Sequence, residues 1–251
     1  MRLESWEFDV LRLYNPLRKG HLEVWFDFLS NKVAKIPGDI VEAGVFQGKS
    51  FLAASYLLQE VAPEKKIYGY DTFSGFPPVA VPEDDPSMFA VLAKDGTISQ
   101  EHINRVSRNL NHLRFLKNSE NLDFSNVSSS GAFEETSKAR IESLAAYLEL
   151  TNIRVVEGPF EQTMVPEAEE PSTIAAAILD CDLHGSYLVA LEFIWPRLSE
   201  GGIIYLDEYY SLKFPGARIA VDEFFESKTV EFNKVVDDFN GFERWFVTKT
   251  N

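Results

Sequence analysis

Residues 38–51 read GDIVEAGVFQGKSF, and this stretch decides the fold. Asp39-Ile40-Val41 is the end of a short apolar strand. Glu42-Ala43-Gly44 opens a glycine-containing turn, and from Lys49 (KSFLAASYLL) apolar positions return at helical spacing. Strand, glycine turn and helix, in that order, open a nucleotide- or dinucleotide-type α/β domain. Which ligand the turn accepts decides the function.

Working outward, apolar runs predict further strands at Ile67–Tyr70, Ile153–Glu157, Ile174–Leu179 and Ile203–Leu206. Amphipathic helices are predicted at 49–61, 139–148, 187–198 and 217–225. The tail (235–239, Asn240-Gly241, 242–247) reads as an antiparallel hairpin on an Asn-Gly turn. The expected fold is an α/β, Rossmann-like, doubly wound sheet with that hairpin at its edge, in a single domain over 1–251. Residues 1–36 read as helices, with Pro16 and Pro37-Gly38 as stops. Between 72 and 150 the alternation breaks. The stretch 76–82 is extended and turn-rich, and 126–131 is polar, so about 78–138 reads as an insert with helices of its own. A lid over the site is the expected role, and a peripheral or subunit contact is the other reading.

At 251 residues the chain is long enough for one large core. A net charge of −15 argues against nucleic acid and against an anionic membrane surface. Cys181 is the one cysteine, which excludes a disulfide framework and a cysteine zinc site; a small core residue is the expectation. Charges interrupt every apolar run of MRLESWEFDVLRLYNPL, so no signal peptide or membrane span is expected there. A cytoplasmic enzyme is the default.

In open α/β sheets ligands sit beyond the carboxyl ends of the strands. Each predicted end carries an acid: Glu42, Asp71, Glu157, Asp180 with Asp182, and Asp207-Glu208. Their convergence on one crevice is the expectation. Three ligand classes compete for the turn. A dinucleotide wants G-x-G-x-x-G, but Gly44 and Gly48 are spaced otherwise and Glu42 would face the phosphates. A phosphate loop wants G-x-x-x-x-G-K-[ST], and Gly44–Ser50 is one residue short, although Ile203–Glu208 imitates the magnesium-holding strand of ATPases. The third class is S-adenosylmethionine, whose sulfonium and amine are cationic and suit a carboxylate in the turn. Asp71 would then take the ribose hydroxyls, and Gly44 would let the backbone approach the amino-acid part. Ser50 either caps the helix or touches the ligand carboxylate, and Phe73, Ser74 and Phe76 either line the adenosine pocket or pack the loop. Gly158 and Phe160, beyond strand three, complete the cofactor candidates.

The stretches IPGDIVEAGVFQGKS (36–50), YGYDTFSGFP (68–77), VVEGPFEQT (155–163), AAILDCDLHGSY (176–187), WPRLSEGGIIYLDEYY (195–210) and ARIAVDEF (217–224) together resemble the macrocin O-methyltransferase family, of TylF type. The resemblance implies a class I S-adenosylmethionine-dependent methyltransferase fold. It implies an activity on a hydroxyl of a small molecule, most typically the sugar of a glycosylated natural product, and a homo-oligomer. It also implies a divalent cation, magnesium or manganese, on Asp180, Asp207 and Glu208. The family commonly has Asp-Asp at the last pair, so Glu208 is a departure. Three carboxylates offer hard oxygen ligands, which agrees. Whether Asp182 joins them stays open. A phosphate-loop ATPase and a catalytically silent cofactor-binding module are the alternatives.

An aliphatic hydroxyl needs its proton removed before it attacks a methyl group. Sugar-methylating relatives carry a histidine in the insert, and the corresponding Leu122–Val127 (LDFSNV) has none. His184, four residues after Asp180, is the candidate base, and Asp180 itself is the other catalytic candidate. His102 and His112 sit in the insert and either swing over the site or are ordinary surface histidines, and His21 is read as a packing residue. Tyr209 and Tyr210 are candidates for acceptor contact, while Trp245 and Phe246 are expected to pack the hairpin.

Overall fold

Each apolar run singled out in the sequence forms a parallel strand: β1 (Asp39–Ala43), β2 (Ile67–Asp71), β3 (Ile153–Glu157), β4 (Ile174–Leu179) and β5 (Leu198–Leu206). The computed structural model describes residues 3–18, 20–77, 81–237 and 240–250. β6 (Glu231–Val236) and β7 (Glu243–Thr248) add antiparallel to β5, giving the order β3-β2-β1-β4-β5-β7-β6. The chain runs outward from β1 to β3, then returns to the other side of β1 with β4. The winding therefore reverses between β1 and β4, which is where an open α/β sheet leaves its ligand crevice.

The helices are α1 (Ser5–Leu11), α2 (Glu23–Asn31), α3 (Lys49–Val61), α4 (Met88–Lys94), α5 (Gln100–Lys117), α6 (Lys138–Tyr147), α7 (Phe160–Thr163), α8 (His184–Arg197) and α9 (Gly216–Phe225). They cover both faces because strand side chains alternate. Ile40, Ala176, Ile178, Ile203 and Tyr205 pack toward α1, α2, α3 and α6. Val41, Ala177, Leu179, Ile204 and Leu206 pack toward α8 and α9. Trp25, Leu29, Phe51 and Leu52 are completely buried in the first layer, and each such side chain is worth roughly 1.5–3 kcal/mol of burial. The N-terminal helices are thus part of the main core.

The β2–β3 connection carries α4, α5 and α6. α4 and α5 close a separate small core around Phe89, Val106, Leu110, Val127 and Phe214. Ser99 starts α5 by accepting the His102 N–H at 3.1 Å. Three sequence expectations need correction. α2 begins at Glu23, so His21 precedes the helix and lies in a turn. Glu200-Gly201-Gly202 belongs to β5, whose pairing with β4 slips between Ile174 and Ala176, and does not simply close α8. The hairpin connection runs from Asp237 to Phe242, closed by Asp237 N–H to the Phe242 carbonyl at 2.9 Å, so Asn240-Gly241 is not a two-residue turn. Phe239 and residues 78–80 of the extended stretch lie outside the described residues. Among the described residues no helix is long and apolar enough to cross a membrane.

Candidate functional site

The glycine turn is pinned by an acid from the neighbouring strand. Asp71, the last residue of β2, accepts the Val45 and Phe46 N–H groups on Oδ2 at 2.9 and 2.8 Å. Its Oδ1 accepts the Phe73 N–H at 2.7 Å. Phe46 and Phe73 both hold left-handed φ values, 48° and 52°, under these bonds. A phosphate loop would aim its N–H groups at the ligand; here a carboxylate already holds them, which disfavours that alternative. Gly44 has φ 93°, and a Cβ there would collide with the Asp180 carbonyl oxygen. Its smallness therefore serves the close approach of β1 to the end of β4.

Register brings the acids together. Ala43 pairs with Leu179 and Leu179 with Leu206, so Gly44, Asp180 and Asp207 follow side by side. Carboxylate oxygens of Asp180, Asp207 and Glu208 all lie within 4.8 Å of one another. The Tyr187 hydroxyl, 2.6 Å from Glu208 Oε2, orients the last of them. Burial, then the neighbouring carboxylates, push Asp180 and Glu208 well above the usual carboxylate range. Glu157 does not converge with them. β3 is the sheet edge, and Glu157 is exposed there, 3.5 Å from Lys138.

Two buried carboxylate oxygens have no partner among the described residues: Glu42 Oε2 and Asp207 Oδ1. Glu42 is fully buried, Ser50 Oγ donates to its Oε1 at 2.6 Å, and burial pushes its carboxyl up to about 8. A buried polar atom left unpaired costs about 1–3 kcal/mol. The donor set is all hard oxygen, with one orphaned atom inside it and another beneath the turn. These residues fit a divalent cation at Asp180, Asp207 and Glu208, and a cationic ligand group over Glu42. Asp182, with φ 61°, is outside that trio, but its charge adds to those acting on Asp180 and Glu208. Burial pushes the Asp182 carboxyl up to about 7, which Lys213 opposes and Asp207 and Asp84 reinforce.

Two cavities meet at this cluster. The first, about 540 Å³, runs over the turn and includes Gly44, Ser50, Asp71, Ser74, Phe160 and Asp180. Phe46, Phe76 and Phe133 give it an aromatic side, and Ser128, Ser129 and Ser130 of the β2–β3 connection cover it. The second, about 520 Å³, lies toward the hairpin, with Asn109, Tyr210, Asn240 and Phe242 in its wall. His21, Asp182, Asp207, Glu208 and Lys213 line both.

Several candidates are placed elsewhere. Glu42 sits below the first cavity, sealed by the turn, and Phe73 packs against the main core. Gly158 gives its N–H to the Asp71 carbonyl at 3.0 Å and does not line the cavity. His184 is not brought to either cavity. Its N–H donates to Asp84 Oδ1 at 2.7 Å and its Nε2 lies 2.9 Å from Glu223. His102 is buried on the Ser211 carbonyl at 2.7 Å and stacks on Tyr210 at 4.0 Å, while His112 is exposed. Tyr210 reaches the second cavity, but the Tyr209 hydroxyl donates to Asp222 in the core. Cys181 is buried, as expected, and also touches the first cavity. Trp245 packs edge-on against Tyr209 at 5.1 Å, and Phe246 packs against the main core. Tyr14, His21 and Lys213 were not expected in the site. No local sequence pattern marks them, since tertiary packing alone brings them there.

Known proteins resemble this chain in sequence and in fold. Mycinamicin III 3''-O-methyltransferase of Micromonospora griseorubida is 25% identical over 190 residues, 75% of this chain, and the match spans 61% of that relative's length. The structure of the O-methyltransferase NovP matches with a TM-score of 0.61 at 18% identity, over 98% of this chain and 80% of NovP. The calicheamicin methyltransferase CalS11 matches with a TM-score of 0.63 at 20% identity, over 98% of this chain and 91% of CalS11. Both likenesses establish the class I methyltransferase fold. The macrocin-O-methyltransferase (TylF) profile matches residues 27–145 and 130–242, which span the pinned turn, both acid-bearing strand ends and the first strand of the hairpin. By that match over most of its length, the chain belongs to the macrocin-O-methyltransferase (TylF) family.

Proposed function

We propose that the protein is an S-adenosylmethionine-dependent O-methyltransferase whose acceptor is a hydroxyl of a sugar on a natural product. The observation that carries this reading is the meeting of two cavities at one carboxylate cluster. The first takes the cofactor and the second takes the acceptor. The relatives named above, a mycinamicin III 3''-O-methyltransferase and a calicheamicin methyltransferase, agree with such an acceptor.

Glu42, with Ser50 on its other oxygen, faces the cationic amino-acid end of the cofactor through the turn. Asp71 holds the turn in shape and presents its carboxylate to the ribose, and Phe46, Phe76 and Phe133 enclose the base. The cofactor supplies an activated methyl group on a sulfonium. Asp180, Asp207 and Glu208 would hold magnesium or manganese, which supplies Lewis acidity toward a hydroxyl. Asp182 is the base: it lines both cavities, and its raised carboxyl suits proton transfer near neutral pH. The acceptor O–H gives its proton to Asp182, the oxygen pair forms the new C–O bond, and the C–S electrons stay on sulfur. Alignment across the junction of the cavities does most of the work.

Calorimetry with S-adenosylhomocysteine tests the cofactor assignment, and no binding at millimolar ligand sinks it. Methyl transfer from labelled S-adenosylmethionine to a panel of macrolide glycosides and nucleotide sugars tests the acceptor class. Chelation should stop transfer and leave cofactor binding intact. Undiminished transfer in excess chelator removes the cation from the mechanism.

A further inference from the structure

Tyr14 and His21 precede α2, outside the α/β alternation, yet Tyr14 lines the first cavity and His21 lines both. The segment that carries them is fastened at both ends. The Tyr14 N–H donates to the Lys49 carbonyl at 3.2 Å, and the Tyr205 hydroxyl of β5 donates to the His21 carbonyl. Leu13 and Leu22, beside the two residues, are buried. The two rings meet edge to face with centroids 5.0 Å apart. Their positions are therefore set by the sheet and by the start of α3.

Neither the Tyr14 hydroxyl nor a His21 ring nitrogen has a hydrogen-bond partner among the described residues, and neither is sealed from the cavity. The other residues common to both cavities are Asp182, Asp207, Glu208 and Lys213, all ionisable as full charges. His21, when neutral, offers a donor and an acceptor on one ring at the junction. A sugar hydroxyl both donates and accepts, so such a ring meets it in either sense. The wall of the second cavity adds Asn109, Asn240 and the Phe242 ring, polar groups with an aromatic face that suit an uncharged polyhydroxyl ring.

We propose that His21 hydrogen-bonds a hydroxyl of the acceptor sugar and that Tyr14 braces the His21 ring, so that this N-terminal pair orients the acceptor for transfer. The ligand class is a neutral sugar ring. The inference rests on the methyltransferase reading above and assigns the acceptor contact within it.

The test uses the full chain saturated with S-adenosylhomocysteine and magnesium, titrated by NMR with the methyl glycosides of rhamnose, fucose and glucose. At least one should bind the wild type. His21→Ala should weaken that binding at least tenfold, His21→Asn, which keeps a donor and an acceptor, should hold it within threefold, and Tyr14→Ala should fall between. The melting temperature should stay within a few degrees of wild type in all three, which a folding defect would not allow. His21→Ala binding as tightly as wild type overturns the proposal, as does a wild-type complex that binds none of the three glycosides. Loss of S-adenosylhomocysteine binding by the wild type itself would instead overturn the methyltransferase reading.

Discussion

The Asp71 carboxylate and the Phe46 backbone N–H are 2.8 Å apart, and that bond fixes the shape of the glycine turn. Val45 and Phe73 add two more bonds to the same side chain. Asp71 thus positions the turn as well as facing the cofactor cavity. Asp71→Ala leaves three backbone donors without their acceptor, each bond to a charged group being worth about 1.5–3 kcal/mol. The variant should bind S-adenosylhomocysteine at least tenfold more weakly and also melt several degrees lower. Weaker binding with an unchanged melting temperature would mean that the turn does not depend on Asp71.

Glu42 makes a different prediction. Its carboxyl is pushed up to about 8, so near pH 7 the ligand-free protein holds a proton there. A cationic amine placed over Glu42 favours the ionised form and expels that proton. Calorimetry of S-adenosylhomocysteine binding at pH 7, in buffers of different ionisation enthalpy, should register proton release. Affinity should rise as pH goes from 6 to 8, and Glu42→Gln should flatten that rise. Proton uptake, or no difference between buffers, contradicts that coupling through the turn.

The sheet was legible in the sequence because each strand is a short apolar run with an acid at its end, and parallel pairing keeps those ends level. Ala43, Leu179 and Leu206 share a register, so the acids that follow β4 and β5 meet without any further information. Glu157 misled because the pattern does not say which strand is the edge. His21 misled for a related reason. Its position depends on the Tyr205 hydroxyl, 184 residues away, and nothing near it in the chain records that contact. At Asn240-Gly241 the tight-turn signal competes with Asp237, which closes a longer loop through its own backbone and side chain.

His184 and Asp182 give opposite expectations despite lying two residues apart. His184 is tied to Asp84 and Glu223 away from both cavities. Its pair with the half-exposed Glu223 is of the kind worth about 0–1 kcal/mol. His184→Ala should change kcat/KM for methyl transfer by less than threefold. Asp182→Asn removes the proposed base and should lower kcat by roughly 10²–10⁴-fold with KM for S-adenosylmethionine unchanged. The reverse pattern would restore the histidine as the base.

Asp182 also links stability to pH. Its carboxyl is raised from 3.8 to about 7, so between those values the folded protein holds a proton that the unfolded chain has released. Its contribution is therefore present at low pH and lost as pH rises through about 7. His21 and His102 work the other way, since burial lowers both and keeps them neutral below the ordinary histidine range, so their cost to the fold falls as pH rises toward that range. A net melting curve mixes these opposing slopes, and the comparison that isolates Asp182 is wild type against Asp182→Asn. The asparagine carries no charge to bury, so the variant should gain on wild type by about 2–4 kcal/mol from pH 5 to pH 8, at about 1.4 kcal/mol per pKa unit. In a chain of this length that is a melting gap widening by about 5–10 °C. Magnesium, held by the neighbouring carboxylates, should raise the wild-type melting temperature more at pH 8 than at pH 5, where protons compete for the same oxygens. A gap that stays constant with pH would place the Asp182 carboxylate in solvent and remove it from the buried cluster.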